Sequence, residues 1–150
     1  MHTFLAIKLV EAVIGSISDR NWNSLPDLFA PDATWWNSGN PALLPPDFPC
    51  GEGLAQDRLK HLPSLLNQFD NYEYNIINIV GHDNKVMVEA QEIGRGPGEL
   101  VYINNITSSF EVEHRRKITK VREYADNDEI VWVLNWLKNH SGGDGCPLFT

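Results

Sequence analysis

Clustered positive charge is the first thing this sequence lacks. Its 12 lysines and arginines stand against 20 aspartates and glutamates, and the one tight basic run is Arg115-Arg116-Lys117. A nucleic-acid groove needs grouped Lys and Arg to replace phosphate counterions, so a net charge of −8 argues against such a partner. Cysteine is also scarce. Cys50 and Cys146 lie far apart with no CxxC pair, which suggests neither a disulfide framework nor a structural zinc site and fits a reducing, cytoplasmic setting. No apolar run approaches the ~20 residues that span a bilayer, and no basic N-terminal stretch leads into a small-residue cleavage site. Neither a membrane nor a secretory route is therefore expected. The histidines show no metal-ligand spacing, and only His61 is placed as a visitor to a pocket. No metal or other cofactor is expected.

What is present suits a single domain over residues 1–150. With 42% apolar residues and five tryptophans in 150 positions, the chain can bury roughly two-thirds of its unfolded surface. Leu5, Leu9, Val13 and Ile17, flanked by Val10 and Ile14, predict an amphipathic helix over 3–19. A short helix follows at 24–29, with Pro26 near its start. Ala33-Thr34-Trp35-Trp36-Asn37 predicts a strand, and a Pro-rich loop runs from Pro41 to Pro49. A leucine-rich segment from Gly53 to Leu66 predicts a third helix, which Pro63 bends or restarts. Strand patterns then recur at 72–80, 85–94, 100–112 and 117–124, separated by turns short enough for antiparallel hairpins. Residues 128–138 predict a closing helix, with a strand as the alternative because of their β-branched residues. The Gly-rich tail 141–150 is either flexible or a cover over a pocket mouth. Helices first and then a meander of strands define an α+β domain, the long helix covering one face of the sheet.

Alternation assigns faces to the strands. Val88, Ala90 and Glu92 share one side, as do Asn104, Ile106, Ser108 and Phe110. In the last strand Thr119, Val121 and Glu123 oppose Ile118, Lys120, Arg122 and Tyr124, and the basic set is the natural solvent side. Carboxyl, amide and hydroxyl groups mixed with apolar residues on one face suit a ligand cavity better than a dry core. The plainer readings are a surface glutamate at Glu123, a strand-end residue at Glu92, a turn-stabilising Asn37 and ordinary sheet residues at Tyr102 and Asn104.

Three segments carry a resemblance over nearly the whole chain: Phe29 to Asn37, Val86 to Glu92, and Phe110-Glu111-Val112 with Lys117 to Asp126. The last is the most specific. Together they resemble the SnoaL-like proteins of polyketide cyclization and, more broadly, the cone-shaped fold of limonene epoxide hydrolase, ketosteroid isomerase and scytalone dehydratase. The resemblance implies a curved antiparallel sheet wrapped with N-terminal helices into a cone around one pocket, in the nuclear transport factor-like superfamily. It also implies a homodimer. In limonene epoxide hydrolase the positions matching Glu123 and Glu92 are aspartates linked through an arginine at the position of Ala90. The positions matching Trp35 and Asn37 help hold the attacking water. This chain departs at Ala90, and the Trp35 indole cannot accept a hydrogen bond. Both departures argue against epoxide hydrolysis by that mechanism.

The expected site therefore has Glu123, Glu92 and Asn37 as catalytic residues, with Trp35, Ala90, Asn104, Ile106, Ser108 and Val121 around the substrate. Buried carboxyl groups without an intervening cation rise in pKa, which can produce an acid and a base near neutral pH. The expected function is a cofactor-independent isomerase or cyclase acting by general acid-base catalysis on a small hydrophobic polyketide or terpenoid intermediate. A non-catalytic ligand-binding or dimerization protein of the same fold is the alternative, and an epoxide hydrolase or dehydratase is the third reading.

Overall fold

A computed structural model describes residues 3–46, 48–113 and 116–140. The tail 141–150, Cys146 and the turn residues His114 and Arg115 lie outside the described residues. Helix α1 (Thr3–Ser18) buries Ala6, Val10, Val13, Ile14 and Ile17. Its apolar stripe is thus turned slightly from the expected one, and Leu5 and Leu9 are only partly covered. The helix ends in a Schellman arrangement: the Asn21 amide donates to the Ser16 carbonyl, and the Arg20 amide to that of Ile17. Arg20 takes the left-handed position (φ 55°) where glycine is usual. A tertiary bond helps to hold it there, as its guanidinium donates to the Phe69 carbonyl at 2.9 Å.

A 3₁₀ turn (Leu25–Leu28) leads into β1 (Phe29–Asn37), which begins four residues earlier than the aromatic run suggested. The Pro-rich loop then gives way to a strand the sequence reading did not anticipate, β2 (Gly51–Leu54). Helix α2 (Ala55–Leu66) continues through Pro63 as one helix. Strands β3 (Asn71–His82), β4 (Lys85–Arg95), β5 (Val101–Val112) and β6 (Ile118–Tyr124) follow, then helix α3 (Asn127–His140), which excludes the strand alternative for that segment.

The six strands form one curved, unclosed sheet in the order β2-β1-β6-β5-β4-β3, with β1 and β6 parallel and every other pair antiparallel. Strands β4 and β5 pair without interruption from Lys85↔Glu111 to Arg95↔Val101. Curvature enters at irregularities on either side. Ile77 is an extra residue in β3, and Thr119 is extra in β6 between the pairs Val112↔Ile118 and Glu111↔Lys120. The Thr119 bulge overturns one face assignment. Ile118 was grouped with the solvent side, yet it is buried together with Val121, because the extra residue turns the alternation over.

Helix α1 packs on β3 and β4. Its first turn sits so close to Gly81 that a Cβ there would come within 2.9 Å of the Thr3 side chain. The other helices lie at the opposite end of the concave face, α2 against β1 and α3 against β5. Between them the concave face stays partly open.

Candidate functional site

A cavity of about 150 Å³ lies on the concave side of the sheet. Apolar side chains from α2 and α3, such as Leu62, Leu66, Val133 and Leu134, form much of its wall, and Phe48 and Pro49 of the loop before β2 complete it. Its polar groups are Asn37, Tyr74, Glu92, Tyr102 and Glu123 from the sheet, Ser38 just after β1, and Asn127 at the start of α3. The volume is that of a cavity taking one aromatic ring, below the roughly 300 Å³ at the lower end of ordinary small-molecule sites.

Register explains why the two carboxyl groups face the same space. Tyr74, Glu92 and Asn104 form one row across β3, β4 and β5. Val88, Ser108, Glu123 and Asn37 form another across β4, β5, β6 and β1. The row of Ala90 and Ile106 separates them. All these positions share the concave face, since paired residues point the same way and the two rows lie an even number of residues apart.

At one end, the Tyr102 hydroxyl donates to Glu92 Oε2 at 3.4 Å and accepts from Asn104 Nδ2 at 2.9 Å. Asn104 is held by backbone on both sides of its amide. Its Nδ2 also donates to the Asp126 carbonyl at 2.9 Å, and its Oδ1 accepts from the Asp126 amide at 2.9 Å. Asn104 therefore fixes Tyr102 and the start of α3 and has little capacity left for a substrate. The Tyr72 hydroxyl is buried beside Glu92 and completes no hydrogen bond. Behind these groups, Phe69 stacks on Tyr102 and Tyr72 at centroid distances of 5.7 and 6.1 Å. That stack requires a glycine at 94, where a Cβ would stand 2.5 Å from the Phe69 ring.

At the other end, among the described residues no group hydrogen-bonds the Glu123 carboxyl and none forms an ion pair with it. Its neighbour in register, Asn37, accepts from the Trp35 indole at 3.0 Å and donates to the Pro49 carbonyl at 2.8 Å. The second Nδ2 hydrogen of Asn37 remains uncommitted.

Both acids retain some exposure because they line the cavity, but the walls exclude bulk water. Burial pushes Glu92 up to about 7, against the opposing effect of the Tyr72 and Tyr102 hydroxyl groups beside it. Burial, then the charge of Glu92, pushes Glu123 up to about 8, and the guanidinium of Arg58 opposes the rise. Desolvation and the neighbouring carboxylates hold Tyr72, Tyr74 and Tyr102 far above the usual phenol range, so these remain neutral hydroxyl groups. Both acids are thus raised to near neutral pH, and the hydroxyl groups beside Glu92 favour its anion.

Of the residues selected from sequence, Glu123, Glu92, Asn37 and Trp35 line the cavity together. Ala90, Asn104, Ile106, Ser108 and Val121 are buried on the same face but are not part of its lining. His61 is exposed on α2 and does not visit the cavity. Tyr74, Tyr102 and Arg58 were not selected. For Tyr102 the signal was available, because it stands two residues from Asn104 on the same strand.

The match of this chain to known proteins is clearest in structure. The chain matches no family model. Over 99 residues it is 28% identical to UPF0523 protein C of Dictyostelium discoideum, and the match spans 65% of the chain and 62% of that relative's length. PrhC from Penicillium brasilianum superposes with a TM-score of 0.76 at 15% identity, covering 93% of this chain and 91% of its own. IdmH of Streptomyces antibioticus, a candidate polyketide cyclase, gives 0.70 at 15% identity over 87% and 98%. An LEH-like epoxide hydrolase of M. tuberculosis gives 0.66 at 20% identity over 87% and 89%. The fold is the one carried by NTF2-like proteins. These neighbours agree with the resemblance to SnoaL-like proteins read in the sequence.

Proposed function

We propose that the cavity is the active site of a cofactor-independent isomerase or cyclase, with Glu92 and Glu123 as its acid-base pair. The observation that carries this reading is two carboxyl groups in one largely apolar cavity, neither ion-paired among the described residues, and both raised to the neutral range. Glu92, held by Tyr102, removes a proton from a carbon made acidic by an adjacent carbonyl. Glu123 donates its proton where the displaced electron pair arrives, and proton exchange through water then resets the pair. The substrate is a small hydrophobic intermediate of the polyketide or terpenoid kind, and it presents a ring-sized reacting end to the cavity. IdmH, a candidate polyketide cyclase of the same fold, supports the fold's use in such a site, and the missing arginine at Ala90 sets this site apart from the epoxide hydrolase pattern.

Purified wild type and Glu123→Gln, both checked for folding by circular dichroism, are offered candidate intermediates. General acid-base groups contribute roughly 10² to 10⁴ in rate, so a loss of at least ~100-fold is expected. Equal conversion by both proteins would remove Glu123 from the mechanism. Binding without conversion by either would make the protein a ligand carrier.

The same reading includes a homodimer formed through the convex sheet face. Met87, Val101, Ile103 and Tyr124 are exposed there, beside Arg122 stacked 3.9 Å over the Trp36 ring. Light scattering should give twice the chain mass, and Ile103→Lys should return it to one; a wild type of single mass removes this part of the proposal.

A further inference from the structure

Arg58 is a half-buried cation of α2 whose charge reaches Glu123, and among the described residues it has no carboxylate within ion-pair distance. Its guanidinium is instead pinned on backbone. Nη1 donates to the Pro49 carbonyl at 2.6 Å, and Nη2 to that of Gly51 at 3.0 Å. Gly53 cradles it, since a Cβ there would lie 3.2 Å from Nε. These anchors are continuous with the acid. Gly51 pairs with Asn37, Asn37 pairs with Glu123, and the Asn37 side chain shares the Pro49 carbonyl with Arg58.

We propose that Arg58 is the positioning residue of this site: its guanidinium, locked against the β2 edge, supplies the positive field in which the Glu123 carboxyl works. The inference rests on the reading of Glu123 as an acid-base group but is tested without turnover. The limonene epoxide hydrolase pattern carries a cation at the position of Ala90, between the two acids, and this chain has none there. Arg58 acts from the other side, on the Glu123 row alone. The charged and titratable groups that act on Glu123 are Glu92 from β4, Tyr74 from β3, Tyr102 from β5 and Arg58 from α2. Helix α3 contributes only Asn127 and apolar side chains to the cavity. Arg58 is therefore the one positive member of the set. It makes the two ends of the cavity unequal, and through the Pro49 carbonyl it also holds the wall residues Phe48 and Pro49 in place.

The experiment is a titration of the Glu123 carboxyl by ¹³C NMR in wild type, Arg58→Gln and Arg58→Lys, with Glu123→Gln used to assign the signal. Arg58→Gln keeps a donor but removes the charge, so the Glu123 midpoint should rise by roughly 0.5 unit or more, less than the 1–3 units of a direct contact. Arg58→Lys should restore the wild-type midpoint. An unchanged midpoint in Arg58→Gln overturns the proposal, and so does an equal shift in both variants, because a merely structural role would not distinguish charge from shape. Should Arg58→Gln fail to fold, Arg58→Met, which keeps the apolar length of the side chain and removes the charge, must raise the midpoint instead; no movement overturns the proposal. Loss of the Glu123 role in turnover with the NMR shifts intact would strike the proposed function and leave this inference standing.

Discussion

Glu92 and Glu123 face one cavity from strands two apart, yet the protein holds them by different means. Glu92 is held at short range, by a Tyr102 hydroxyl that Asn104 orients and Asp126 backbone in turn fixes. Glu123 has no hydrogen-bonded partner among the described residues and, besides its burial, feels charge across space from Glu92 and Arg58. Hydrogen bonds stabilise an anion locally and lose their effect within a fraction of an ångström, whereas a field reaches over several ångströms and tolerates small movements. A group that must meet a variable substrate is better served by the second arrangement. Under the proposed function the difference sorts the roles: the hydrogen-bonded acid serves as the base, and the unbonded one as the acid.

The largest expected effect tests that sorting directly. Glu92→Gln and Glu123→Gln should each lower turnover by ~100-fold or more, and the residual rates should differ in shape. Wild type should show a bell, rising through about pH 7 and falling through about pH 8. Glu92→Gln should lose the rising limb and Glu123→Gln the falling one. The opposite pattern would exchange the two roles.

The next effect breaks the Glu92 end. Asn104→Leu removes three hydrogen bonds and leaves the Asp126 amide, its carbonyl and the Tyr102 hydroxyl short of partners. A cost of about 3 kcal/mol follows from the lost partners, and a Tm drop of about 10 °C from a chain of this size. Calorimetry measures it, and a change below 2 °C would mean that the link between Asp126 and Glu92 is not structural.

The smallest effect runs opposite in sign and belongs to the other end. A carboxyl whose folded pKa lies above its unfolded value binds more protons when folded. The stability it lends is therefore complete at low pH and is lost as pH rises from about 4.5 to about 8. Glu123→Gln removes that loss. The variant should melt with wild type at about pH 3.5, below the unfolded value, and exceed it at about pH 9 by on the order of 2 kcal/mol, or about 5 °C, with water in the cavity reducing the full linkage value. Equal melting at both pH values would show that Glu123 ionises without penalty.

The same contrast explains what the sequence disclosed. Alternation located the inner faces of β4 and β5 because these strands pair continuously, so each two-residue step keeps its side. It failed at Ile118, where Thr119 inserts an extra residue that periodicity alone does not reveal. Glu123 sits beyond that bulge, and its place on the inner face was found through the resemblance and its grouping with Val121. Tyr102 was legible by its spacing from Asn104 but was passed over as an ordinary sheet residue. Tyr74 required the β3–β4 register, which no local pattern gives. Arg58 was least legible of all, since its effect depends on how α2 settles over a strand, β2, that the sequence reading had not recognised.

Asp126 joins two parts of the molecule that have so far been described apart. Its backbone is gripped by Asn104, while its Oδ1 accepts from the Asp128 and Glu129 amides and caps α3. Asn127 adds a bond to the Ser38 carbonyl. Helix α3 is thus clamped at its first turn, and any rotation pivots there. With a rise of about 1.5 Å per residue, Leu134 lies about twice as far from that pivot as Ile130, so a small swing displaces the Leu134 side of the cavity wall twice as much. The roof of the cavity is thus anchored three residues beyond Glu123, and a tilt of α3 about that point would widen it most at the Leu134 end.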